Sequence, residues 1–140
     1  MSTRHRRAIL AAVAALCLAG CGEEEDSLTG AYSGPAHVST AGITLVVQMT
    51  VTLSRSGSSL SGTFNTMAPD GSVETGRVSG SVRASAVTLS FMPASPTTCP
   101  ATSESTFASK RISGPIQIHC PGQPPVTGTL DLWRMPLVRI

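Results

Sequence analysis

A chain of 140 residues with a formal charge of +2 and only 13% charged side chains has room for one domain around one modest core. Arg4, Arg6 and Arg7 carry much of the positive charge in the first few residues, and the remainder is close to neutral. No basic patch is interleaved with aromatics, so a nucleic-acid partner is not expected.

Residues 1–20 read as an export signal. Met1 to Arg7 is basic and free of acids, and Ala8 to Leu18 is apolar but shorter than the roughly 20 residues that cross a bilayer. Leu18-Ala19-Gly20-Cys21 comes next. This tetrapeptide resembles the lipobox of bacterial lipoproteins at all four positions. The resemblance implies a diacylglyceryl group on the Cys21 thiol, cleavage just before Cys21, and often acylation of the new amino terminus. Such a chain is held by membrane lipid on the outside of the cytoplasm, in the cell membrane or the outer membrane. The physical reason for multiple acyl chains is that a single one binds only marginally. Gly22 in place of Asp implies outer-membrane delivery, if the host sorts lipoproteins as enteric bacteria do. An ordinary secretory signal with an incidental cysteine is the plainer alternative, and Arg6-Arg7 also admits a twin-arginine signal. Cys17 lies in the apolar run and leaves with it.

Residues 21–27 form a tether. Glu23-Glu24-Glu25-Asp26 is a run of like charges that stays solvated. Adjacent carboxylates on a flexible run impose no coordination geometry, so no metal site is read there. Beyond Cys21 the cysteines are Cys99 and Cys120, and outside the cytoplasm such a pair is expected to be oxidised.

Residues 28–140 form the folded domain, and its composition of Ser, Thr, Val and Gly shows no helical period. In Ile43 to Leu53 the odd positions are all apolar, which is the period of a half-buried strand. Further strands are predicted over Gly30–Val38, Leu60–Thr66, Val73–Val82, Ala86–Phe91, Thr102–Phe107, Ile112–Cys120 and Val126–Arg134. Turn residues separate them, among them Ser56-Gly57, Pro69-Asp70-Gly71 and Pro121-Gly122.

Folding these strands as a meander gives a register that keeps apolar residues on one face. Leu53 is set against Leu60 and Met49 against Phe64. Gly62 faces Val78, Val82 faces Val87, and Val78 faces Phe91. Ile116 faces Leu130 and Ile118 faces Gly128. A hairpin about Ser109-Lys110 sets Phe107 against Ile112 and, carried outward, Cys99 against Cys120. A disulfide between them is therefore expected, provided the Cα atoms come within about 7 Å. No Cys-x-x-Cys spacing supports redox-active thiols.

An apolar residue, then Ser or Thr, then Gly recurs at Leu28, Leu60, Val78, Ile112 and Val126. In this register the glycines share the inner face, where they suit a strongly coiled sheet closing on itself. Leu28-Thr29-Gly30-Ala31-Tyr32 and Leu60-Ser61-Gly62-Thr63-Phe64 resemble the opening strands of avidin-like and lipocalin-like (calycin) barrels. The resemblance implies an eight-stranded antiparallel meander barrel able to hold a small ligand. The pocket tryptophans of avidins are not matched, because Trp133 is the lone tryptophan and faces outward in this register.

The derived inner face holds Leu45, Val47, Met49, Val51, Leu53, Leu60, Phe64, Val78, Val82, Leu89, Phe91, Phe107, Ile116, Ile118, Leu130 and Leu132, with almost no polar group. Asp70, Glu74, Glu104, Asp131, His37 and His119 scatter over turns and outer positions. No catalytic residue, metal site or cofactor is read from them, and Gly-x-Ser-x-Gly does not occur. The sequence thus leads to an all-β domain, a single small antiparallel barrel with a sandwich as the alternative. Its expected role is that of a non-enzymatic envelope lipoprotein, with a packed core weighed against a cavity for a small apolar ligand. Contact with an envelope partner through Trp133 or Tyr32 is a further reading, and an enzyme with a surface site is the alternative from another class.

Overall fold

The computed structural model describes residues 28–136. The expected export signal, Cys21 and the expected acidic tether lie outside those residues.

Eight antiparallel strands follow one another: β1 Gly30–Thr40, β2 Ile43–Ser56, β3 Ser59–Met67, β4 Val73–Arg83, β5 Ala86–Pro93, β6 Ala101–Ala108, β7 Arg111–Ile118 and β8 Val126–Arg134. Each pairs with the next, and β8 pairs back onto β1, so the sheet is a closed barrel. Closure leaves no strand edge to template aggregation. The sandwich alternative is thereby set aside.

The alternation seen in the sequence is the alternation seen in space. Val51 and Leu53 are buried while Thr52 and Ser54 are exposed, and on β5 Val87, Leu89 and Phe91 are buried around exposed Thr88 and Met92. Burying one such side chain contributes roughly 1.5–3 kcal/mol. The outer faces carry Thr52, Ser61, Thr63, Asn65, Arg77 and Ser79. An apolar inside and a polar outside reverse the arrangement of a membrane-spanning barrel.

Tight turns join the strands at one end. Ser109 and Lys110 both take positive φ, 52° and 62°, the sign pattern of a turn whose twist matches the flanking strands. Close approach of strands explains inward glycines: a Cβ on Gly62 would sit 1.7 Å from the Thr52 carbonyl oxygen.

Two hairpin registers differ from the sequence expectation by two residues. Leu53 pairs with Gly62 and Arg55 with Leu60, because the turn is Gly57-Ser58 with Gly57 at positive φ. Likewise Ile116 pairs with Gly128 and Ile118 with Val126, across a connection that turns at Gly122, again at positive φ. Side chains alternate with period two, so a two-residue shift leaves every face as expected.

The inner face also needs correction. Leu45 is 45% exposed, because the β1–β2 hairpin runs past its neighbours at that end. Tyr32, expected as a surface residue, is fully buried, and Val87 and Ile112 join the core. The inward positions of β6 are Ala101, Ser103, Ser105 and Phe107. Two serines there escape any hydrophobic pattern. The Ser103 hydroxyl donates to the Pro115 carbonyl at 2.8 Å and lies 2.6 Å from Ser105 Oγ, so these buried groups are satisfied.

Candidate functional site

The two ends of the barrel differ. One end gathers Leu28, the short β2–β3, β4–β5 and β6–β7 turns, and the end of β8. Tyr32 plugs it. Its hydroxyl donates to the Leu28 carbonyl at 2.8 Å and accepts from Arg134 Nη2 at 2.8 Å. The Arg134 guanidinium lies 5.4 Å from the Tyr32 ring centre and 5.8 Å from that of Phe107. Burial pushes the Tyr32 phenol above its ordinary value, while the hydrogen bond and charge of Arg134 pull the other way. Arg134 shares its inward face with Leu130 and Leu132.

The opposite end is open. It carries the β1–β2 tip and the longer β3–β4, β5–β6 and β7–β8 connections. The Cys99–Cys120 disulfide ties two of these together, with Cα atoms 5.0 Å apart. The hairpin pairing runs as expected from Phe107 opposite Ile112 to Ala101 opposite Ile118.

Below this rim is a cavity of about 150 Å³. Val38, Val47, Met49, Phe64, Phe91 and Ile116 supply much of its wall. Phe64 and Phe91 meet edge to face, centroids 5.4 Å apart. Gly76 makes room for this pair, since a Cβ there would lie 2.7 Å from Phe64 Cε1. Core packing and cavity therefore divide the barrel between them: the interior around Tyr32, Leu53 and Leu132 is filled, and the disulfide end is a cup. Larger hollows open to solvent lie elsewhere: one of about 420 Å³ against the outer face beside His37, Arg111 and Asp131, and one of about 330 Å³ at the mouth of the Tyr32 end beside Leu28, Val82 and Phe107.

Glu74 departs from the sequence expectation. The sequence places it on the outside, yet it shares the inward face of β4 with Gly76 and Val78 and lines the cavity mouth. Its parity with Gly76 was the signal available in the sequence. Ser95 N–H donates to Glu74 Oε1 at 3.3 Å and the Thr98 hydroxyl to Oε2 at 2.9 Å.

The other titratable groups stay apart from it. Asp131 forms a two-pronged ion pair with Arg111 on the outer surface. That hydrogen-bonded guanidinium is the main reason the Asp131 carboxyl sits below the usual carboxylate range. The His119 ring lies 2.9 Å from the Thr102 hydroxyl, and His37 and Glu104 are exposed. Asp70 accepts from the side chain and backbone of Ser72 in the β3–β4 turn, which lowers its pKa. Among the described residues, no group of three His, Cys, Asp or Glu is arranged to hold a metal. Trp133 faces outward, 52% exposed, with the Arg111 guanidinium 4.9 Å from its ring centre.

No family model and no curated protein matches the sequence. Solved structures do match in shape. A structure of EF1p2_mFAP2b bound to DFHBI aligns with a TM-score of 0.64 at 14% identity, covering 77% of this chain and 94% of that one. A redesigned β-barrel, mFAP1, bound to DFHBI aligns at 0.57 and 18% identity, over 74% and 94%. Rv2717c from M. tuberculosis aligns at 0.52 and 18% identity, over 78% and 93%. At such identities the likeness is one of fold: the small eight-stranded antiparallel barrel that the calycin resemblance implied.

Proposed function

We propose that this protein is a lipid-anchored component of the bacterial cell envelope that holds a small apolar ligand in the open half of its barrel and catalyses no reaction. The observation that carries the reading is the cavity of about 150 Å³ with walls nearly devoid of polar groups. An enclosed apolar cavity of this volume accepts guests the size of benzene. Pockets for drug-sized ligands run to roughly 300–1,000 Å³, so the guest here is small. The DFHBI-bound barrels among the structural neighbours support the idea that this architecture can hold a ligand.

The Leu18-Ala19-Gly20-Cys21 motif supports the anchor. The described chain starts at Leu28, at the plugged end, so a protein tethered through Cys21 offers its open end to the aqueous compartment. Separation of the acidic and histidine side chains, each with its own local partner or exposed, supports binding over catalysis.

Methyl resonances test the cavity. Added benzene should shift Val38, Met49 and Ala101 and leave Val51 and Val87 in place. Shifts spread evenly over the barrel, or none, would defeat the reading. Fatty-acid labelling tests the anchor: incorporation should vanish in Cys21→Ser, and persistence would remove the lipid from the account.

Exposed Trp133 favours a second role, contact with an envelope protein through the outer face. Cross-linking in intact cells should then lose a specific adduct in Trp133→Ala, and an unchanged pattern would discard that role.

A further inference from the structure

Among the side chains lining the cavity, Glu74 alone is charged, and no Lys or Arg faces it there. On β4 it stands opposite Thr66 of β3, also at the mouth. Its carboxylate is fixed by two donors from the β5–β6 connection, Ser95 N–H and the Thr98 hydroxyl. A carboxylate has about four acceptor positions, so acceptor capacity remains after both bonds. Thr66, Glu74 and Thr98 thus form a polar lip above the Phe64–Phe91 pair.

Resting on the ligand-holding reading above, we infer that the cavity selects a small amine, an ammonium head on an aromatic or short aliphatic body. The body fills the space beside Phe64, Phe91 and Ile116. The head remains at the lip, where Glu74 accepts a charge-assisted hydrogen bond, about twice as strong as a neutral one. A guest with an anionic head meets like charge at the same place, with no cation to offset it. An uncharged alcohol of the same shape forms only the weaker bond. The lip therefore reads the sign of the head, and the apolar walls read the size of the body.

A matched series tests this on the mature protein: benzene, benzyl alcohol, benzylamine and benzoate, each titrated by calorimetry. Benzylamine should bind about tenfold more tightly than benzyl alcohol, the difference expected between charged and neutral hydrogen bonds. Benzoate should bind more weakly than either. In Glu74→Gln the amine preference should collapse while benzene affinity holds, which also shows that the variant remains folded. Thr98→Val, which frees one Glu74 oxygen without removing the charge, should keep the preference for amine over benzoate. If benzene binds but amine and alcohol are indistinguishable in the unaltered protein, the amine inference is overturned and the apolar-ligand reading stands. If no member of the series binds, both are overturned.

Discussion

Burial and Arg134 act on Tyr32 in opposite directions, and burial is the larger effect. The folded phenol therefore titrates above the unfolded one. The stability that depends on neutral Tyr32 is complete below the ordinary tyrosine value of about 10 and is lost as pH rises through the folded value. Tyr32 is the only tyrosine in the chain, so ultraviolet titration of tyrosinate reads it alone. Its midpoint should lie above that of the unfolded protein, and Tyr32→Phe should flatten alkaline unfolding. The same change removes a hydroxyl bonded to Leu28 and Arg134, at about 1 kcal/mol near neutral pH. Lys110 makes an opposite case. Its φ of 62° is one that glycine adopts freely, so Lys110→Gly should raise stability by about 1 kcal/mol in urea unfolding.

Single residues were also where the sequence was hardest to read. Tyr32 lies in step with Gly34 and Ala36, and two small neighbours hid the inward stripe. Glu74 is in step with Gly76, but polarity argued for the outside. Ser103 and Ser105 are buried because their hydroxyls find partners, which alternation of apolar residues does not report.

At the scale of strands the pattern was decisive. Turn positions were uncertain by two residues in the β2–β3 and β7–β8 hairpins, yet the faces survived because the side-chain period is two. Adjacent positions on β5 give a direct check. Leu89→Asp places an unpaired charge in the core and should cost more than about 4 kcal/mol or prevent folding. Thr88→Asp, on the exposed face, should change urea stability by less than about 0.5 kcal/mol. The reverse outcome would invert the sheet. The cysteines were legible for the same reason: constant pairing along one hairpin carries Phe107–Ile112 out to the Cys99–Cys120 link. That link closes a loop with a sequence separation of 21. Its reduction should cost roughly 3 kcal/mol by the chain-entropy argument, read as a fall in the urea midpoint with dithiothreitol present.

For the molecule as a whole, the two ends have different assignments. The plugged end receives the chain at Leu28 and is closed by the hydrogen bonds that run from Arg134 through Tyr32 to the Leu28 carbonyl. The open end is bound by the disulfide and leads into the apolar cup. Pattern pointed to a small antiparallel barrel with a largely apolar interior and left the sandwich open. It could not establish whether that interior was full, because filling depends on summed side-chain volumes and small residues such as Ala36, Gly76 and Ala101 leave space that alternation does not record. Exposed Ile43, Leu45, Met67, Val73 and Met92 lie toward the open end. An anchored protein would hold that apolar collar away from its own leaflet.

Diffraction from crystals under xenon pressure measures the empty space itself. Xenon density should appear between Phe64, Phe91 and Ile116, with the Tyr32 end unoccupied. Side chains collapsed across the cup, with no xenon bound there, would contradict a barrel built to hold a guest.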